Sequence, residues 1–194
     1  MNFLAHAYLS GDDPEVLFGN FVADGIKGTA AQDYPEGIRK GIALHRRIDA
    51  YTDAHPIVKQ SVARLQPQFR KYAVVIVDIY YDHFLSRNWQ KYSEQDLVAF
   101  SSTVYKILIR RYQILPKRTK RILPFMIAQN WLVSYANLHD LNRVFRGMAR
   151  RARFDSGMEH AVPFLKQHYT EFEKEFSLFF PDLVNACAQS RELE

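Results

Sequence analysis

Residues 45–56 read HRRIDAYTDAHP and place His45, Asp49 and Asp53 four residues apart. On a helix each four-residue step turns the side chain by roughly 40°, so all three project from nearly one face. Carboxylates stacked at this spacing repel one another unless a cation stands between them. An arginine, a metal ion or water alone are the alternatives for that position.

More groups of the same kind lie within the first 83 residues. His6 sits in NFLAHAYLS, Asp24 in GNFVADGIKG, and Asp78, Asp82 and His83 in VDIYYDHFL. Asp78 and Asp82 share a helical face, and His83 lies roughly 100° round from Asp82. Each has a plain reading when taken singly. His6 reads as a hydrogen-bonded core histidine, Asp53 as a cap for a helix beginning near Pro56, and His55 as a turn residue. Asp49 reads as a surface partner of Arg46 or Arg47. Together, carboxylates and imidazoles in apolar settings on three helices form an oxygen and nitrogen metal site better than scattered charge. The single cysteine, Cys187, rules out a thiolate cluster, and the donors suit Mn²⁺, Mg²⁺ or Fe²⁺ more than structural zinc.

The elements that must position these groups read as helices throughout. Helix starts are marked by Asp13-Pro14-Glu15, Tyr34-Pro35-Glu36, His55-Pro56 and Ser93–Asp96. Leu97, Val98, Val104, Ile107, Leu108 and Tyr112 repeat with a period near 3.6. YAVVIVDIYYDHFL is β-rich in composition, but its length and its Asp78/Asp82 spacing predict a buried helix. Helices are also expected over 118–136, 139–151, 159–176 and 182–190. The whole chain, 1–194, is therefore expected to be one all-α domain, a helical bundle.

Hydrophobic residues make up 47% of the chain, which excludes a disordered polypeptide. The N-terminal residues lack a basic n-region, and no apolar run approaches the roughly 20 residues of a membrane span. A cytoplasmic protein is expected. Charge is distributed unevenly: residues 98–154 hold twelve Lys and Arg against one acid, Asp140, a net +11. Such asymmetry predicts an anionic partner. Arg143, Arg146, Arg150 and Arg153 recur at helical spacing as a cationic stripe, and RRYQILPKRTKR adds Arg118 and Arg121 among others.

NFLAHAYLS, GNFVADGIKG, HRRIDAYTDAHP and YYDHFL, in this order, resemble the acyl-carrier-protein phosphodiesterase family across essentially the full chain. The resemblance implies a distant fold relation to HD-type metal phosphohydrolases. It also implies Mn²⁺-dependent removal of 4′-phosphopantetheine from holo acyl carrier protein. The order of the superfamily doublet is reversed here, as Asp82-His83. On this reading His45, Asp82 and His83 hold the ion with one or more of Asp24, Asp49 and Asp78, and His6 is a further candidate. Asp24 or Asp49 would orient the attacking water, and Arg46 or Lys27 would hold a phosphate oxygen. Arg143, Arg146, Arg150, Arg153, Arg118 and Arg121 would meet the acidic carrier.

One alternative is a nucleotide phosphohydrolase acting on a guanosine tetraphosphate-like ligand, which leaves the cationic stripe unexplained. Another is a non-enzymatic nucleic-acid-binding protein, which leaves the acid and histidine cluster without a role. Neither nucleic acid nor membrane is the expected partner.

Overall fold

The computed structural model describes residues 1–192, and every regular element among them is helical. The helices are α1 (Phe3–Leu9), α2 (Pro14–Val22), α3 (Glu36–Ala54), α4 (Pro56–Phe69), α5 (Ala73–Arg87) and α6 (Leu97–Arg110), followed by α7 (Lys117–Ala128), α8 (Trp131–Ser134), α9 (Leu138–Arg151), α10 (Ala161–Gln167) and α11 (Tyr169–Glu192). Among the described residues, no helix is long and apolar enough to cross a membrane.

Helix starts follow local chemistry. Asp13 accepts from the Glu15 and Val16 N–H groups ahead of α2, and Asp96 accepts from Val98 and Ala99 ahead of α6. The α4 cap is His55, whose side chain accepts from Ile57 N, rather than Asp53. Proline stands at the first position of α2 and of α4, where its missing N–H costs nothing.

The β-rich segment forms the central helix α5. It is apolar on nearly every side, and Ile76, Val77, Tyr80, Tyr81, Phe84 and Leu85 are fully buried. Against it α11 lays Phe172, Phe176 and Phe179 in edge-to-face, tilted and stacked ring contacts with Tyr80, Tyr81 and Phe84. Helix α4 closes the other side, where Arg64 and Ser61 hold the buried Glu175 of α11.

Boundaries differ from the expected ones at three places. The 118–136 segment divides into α7 and α8 because Asn130 adopts a left-handed φ of 42° while its Oδ1 accepts from Ser101 Oγ at 2.7 Å. The 159–176 segment divides at His168, between α10 and α11. No break falls at Pro181, which lies inside α11. Phe179, Phe180 and Leu183 beside it are fully buried, and their burial outweighs the one backbone bond that proline removes.

Candidate metal centre

Two glycines set the site. A Cβ on Gly19 would lie 2.1 Å from Ile38 O, and one on Gly41 would lie 2.1 Å from Val16 O. Helices α2 and α3 thus touch backbone to backbone, which only glycine permits. This contact brings Asn20 of α2 beneath His45 of α3. Helix α1 is fixed from below by Asp82 of α5, which accepts from Leu4 N at 2.7 Å and Ala5 N at 3.2 Å. Held in this way, α1 stacks the His6 ring on the His45 ring with 4.0 Å between centroids.

Asn20 determines how both rings face. His6 Nδ1 meets Asn20 Oδ1 at 2.8 Å, and His45 Nδ1 meets Asn20 O at 2.9 Å. Both acceptors are carbonyl oxygens, so each Nδ1 carries the proton and donates it. Each Nε2 is left to present a lone pair to the same point. Asn20 is itself anchored, donating to His6 O and Ser10 Oγ at 2.9 Å each. Asp49 completes the group. Its Oδ1 is 3.2 Å from His6 Nε2, its Oδ2 is 3.1 Å from His45 Nε2, and the donor atoms of all three residues lie within 4.8 Å of one another. His6 Nε2 is buried and makes no hydrogen bond, although Asp49 Oδ1 stands 3.2 Å away. A buried imidazole nitrogen left bare is what a divalent cation would satisfy.

The electrostatics agree. Burial disfavours a charged His45, but hydrogen bonds to Asp24 and Asp49 outweigh it and raise the ring to about 9. Burial also opposes ionisation of Asp49, yet His45 and His6 hold its carboxyl well below the usual carboxylate range. His6 is lowered, by burial first. Without a metal ion, the His45 proton supplies the positive charge between the carboxylates, and a bound ion would displace it. Asn20→Ala removes the side-chain oxygen that holds the His6 ring and leaves His45 on the backbone carbonyl of residue 20, so divalent-ion affinity, probed with Mn²⁺, is expected to fall about tenfold by calorimetric titration. Unchanged affinity would remove Asn20 from this role.

The remaining sequence candidates distribute as follows. Asp24, 62% exposed, stands at the rim with Oδ1 3.3 Å from His45 Nε2. Asp78 faces the Met1 ammonium at 3.0 Å and lines the same cleft, which has a volume of about 200 Å³. Arg46 and Lys27 are exposed. Two expected ligands are not brought to the His6–His45–Asp49 group. Asp82 is fully buried under α1, with both oxygens occupied by backbone N–H groups. His83 lies in the core between Tyr135 O at 2.7 Å and Tyr169 OH at 2.9 Å.

Burial pushes the Asp82 carboxyl up to about 7 despite the Leu4 and Ala5 N–H groups. Asp82→Ala is expected to cost about 3 kcal/mol by stranding those two donors. Asp82→Asn, keeping one acceptor, should lose less and still bind Mn²⁺. Thermal melts and metal titration check this; a folded Asp82→Asn that binds no Mn²⁺ would return Asp82 to the ligands. Asn20 is the residue that motif spacing missed. Its one sequence signal is an amide inside the otherwise apolar LFGNFV.

Comparison with known proteins covers nearly the whole chain. A family model described as acyl carrier protein phosphodiesterase matches residues 1–183. A protein of that name from Photorhabdus laumondii is 35% identical over 185 residues, 95% of this chain and 93% of its own. Those from Yersinia enterocolitica and Klebsiella pneumoniae strain 342 are 31% and 33% identical over the full length of both chains. No solved structure matches. His6, Asp24, His45 and Asp49, drawn from three separate motifs, meet in one cleft of a chain matched end to end by these relatives, and the chain belongs to the acyl carrier protein phosphodiesterase family.

Proposed function

We propose that this chain hydrolyses the phosphodiester joining 4′-phosphopantetheine to a serine of holo acyl carrier protein, giving apo-protein and free 4′-phosphopantetheine. The observation that carries this reading is the convergence of two imidazole Nε2 atoms and one carboxylate in the cleft of a chain of this family. His6, His45 and Asp49 would hold one divalent ion, Mn²⁺ first, with Mg²⁺ and Fe²⁺ as alternatives. Such an ion, when bound, lowers the pKa of water and neutralises phosphoryl charge.

The chain's own groups do the rest. Asn20 keeps both imidazoles aimed at the cleft. Asp24, exposed and beside His45, is placed to take the proton of water entering the cleft. Arg46 and Lys27 are the side chains proposed to hold a non-bridging oxygen. Water adds to phosphorus, the bond from phosphorus to the serine oxygen breaks, and that oxygen takes up a proton. A cleft of about 200 Å³ admits the phosphoryl group and its neighbouring carbons, so the carrier itself must rest on the outer surface. The net +11 of residues 98–154, including Arg118, Arg121, Arg143, Arg146, Arg150 and Arg153, would draw in an acidic carrier and make association sensitive to salt.

Phosphorus NMR tests the reaction. The diester resonance of holo-carrier is expected to be replaced by one phosphomonoester belonging to free phosphopantetheine. An unchanged diester, with pyrophosphate released from a guanosine tetraphosphate-like nucleotide, would overturn the reading in favour of a nucleotide hydrolase.

A further inference from the structure

We propose that the carrier docks through an acidic, partly apolar helix on the exposed face of α7, and that the arginine stripe of α9 lies outside that interface. This rests on the reading of the site as a carrier phosphodiesterase. The carrier's serine phosphate must reach the cleft, so the docking face has to adjoin the cleft rim.

Helix α7 does adjoin it. The turn Ala23–Gly25, which carries Asp24, packs directly on the start of α7: a Cβ on Gly25 would lie 2.7 Å from Pro116 Cβ. Tyr34 OH donates to Ile114 O at 3.0 Å, tying the same loop to the segment before α7.

The outer face of α7 has the composition of a protein interface. Thr119, Leu123 and Met126 face inward and are buried. Arg118, Arg121 and Phe125, at i, i+3 and i+7, share the opposite face. They form a stripe about 10 Å long at 1.5 Å per residue. Phe125 is 58% exposed at its far end, and Tyr112 and Ile114, 44% and 43% exposed, add apolar surface in the turn that precedes the helix. No acid occurs from Leu97 through His139, so nothing on these elements neutralises the arginines. Exposed apolar side chains set among cations with no acid on the same elements fit a helix presenting acids and apolar groups together.

Helix α9 faces elsewhere. Its buried Phe145 packs edge-on against Tyr80, 5.8 Å between centroids. Tyr80 lies about 200° round α5 from Asp78, so α9 sits on the far side of α5 from the cleft. Arg146 and Arg150 line a separate groove of about 1030 Å³ together with Lys166, Asp155 and Glu159. Arg143 is paired with Asp140 at 3.4 Å. The stripe is partly neutralised and aimed away from the chemistry.

Hydrogen exchange with apo-carrier, the product, maps docking without turnover. Protection is expected at Lys117–Ala128 and not at Leu138–Arg151. In parallel, Arg121→Glu combined with Phe125→Ala is expected to raise KM for holo-carrier about tenfold. Its kcat should stay within about twofold and its thermal midpoint unchanged, since both side chains point to solvent. Protection confined to α9, or an unaltered KM in the double variant, would overturn the proposal. If phosphorus NMR shows the arm removed while protection maps to α9, only the docking surface is wrong. If the diester survives, the activity itself is.

Discussion

Replacing His45 with alanine is expected to lower turnover of holo-carrier about a thousandfold at saturating Mn²⁺, with the chain still folded. His45 contributes one of the two converging imidazole nitrogens, stands 3.1 Å from Asp49 and 3.3 Å from Asp24, and links all three motifs. Losing it removes a ligand and leaves two carboxylates facing each other across an open position. An ion that stabilises developing phosphoryl charge is worth several kcal/mol, and each 1.36 kcal/mol is tenfold in rate. Helicity should persist, because the ring is seated at the mouth of a cleft rather than in the aromatic core. Steady-state rates together with circular dichroism check this. A folded His45→Ala with full activity, beside a folded His83→Ala without it, would move the ion to α5.

Gly41→Ala should be strongly destabilising. The added methyl would meet Val16 O at 2.1 Å and Asn20 N at 2.7 Å, both backbone atoms that no rotamer change relieves. Helices α2 and α3 must part to admit it. Overpacking of this kind costs about 3 kcal/mol. Here it also withdraws Asn20 from His45, so stability and Mn²⁺ affinity should fall together. Chemical denaturation and metal titration on one preparation measure both losses. Native stability in the Gly41→Ala variant would mean that the interhelical contact does not set the site.

Much of this was legible in the sequence, for identifiable reasons. His45 and Asp49 share a face because a helix repeats near four residues, and that geometry needs no tertiary information. Helix α5 was recoverable despite its β-branched content, since a long apolar run between polar breaks outweighs propensity. Asp82 and His83 illustrate the limit. Their spacing states which face they occupy, but their partners come from Leu4, Ala5, Tyr135 and Tyr169, dozens of residues distant. A carboxylate on an apolar helix reads the same whether it awaits an ion or the N–H groups of another helix. The α9 arginines show a similar gap: periodicity reveals a stripe, but not which side of α5 it faces. Asn20 escaped notice because its role is to hold two other side chains, and motif spacing records only groups that could act themselves.

The most direct test of the central claim is the intact mass of holo acyl carrier protein after incubation with this protein, with Mn²⁺ and with EDTA. Loss of the phosphopantetheine mass is expected in the Mn²⁺ sample alone, with no loss when Asp49→Asn replaces the native chain. Loss of the arm in EDTA would contradict a metal-dependent site, and an unchanged carrier in both samples would contradict the activity.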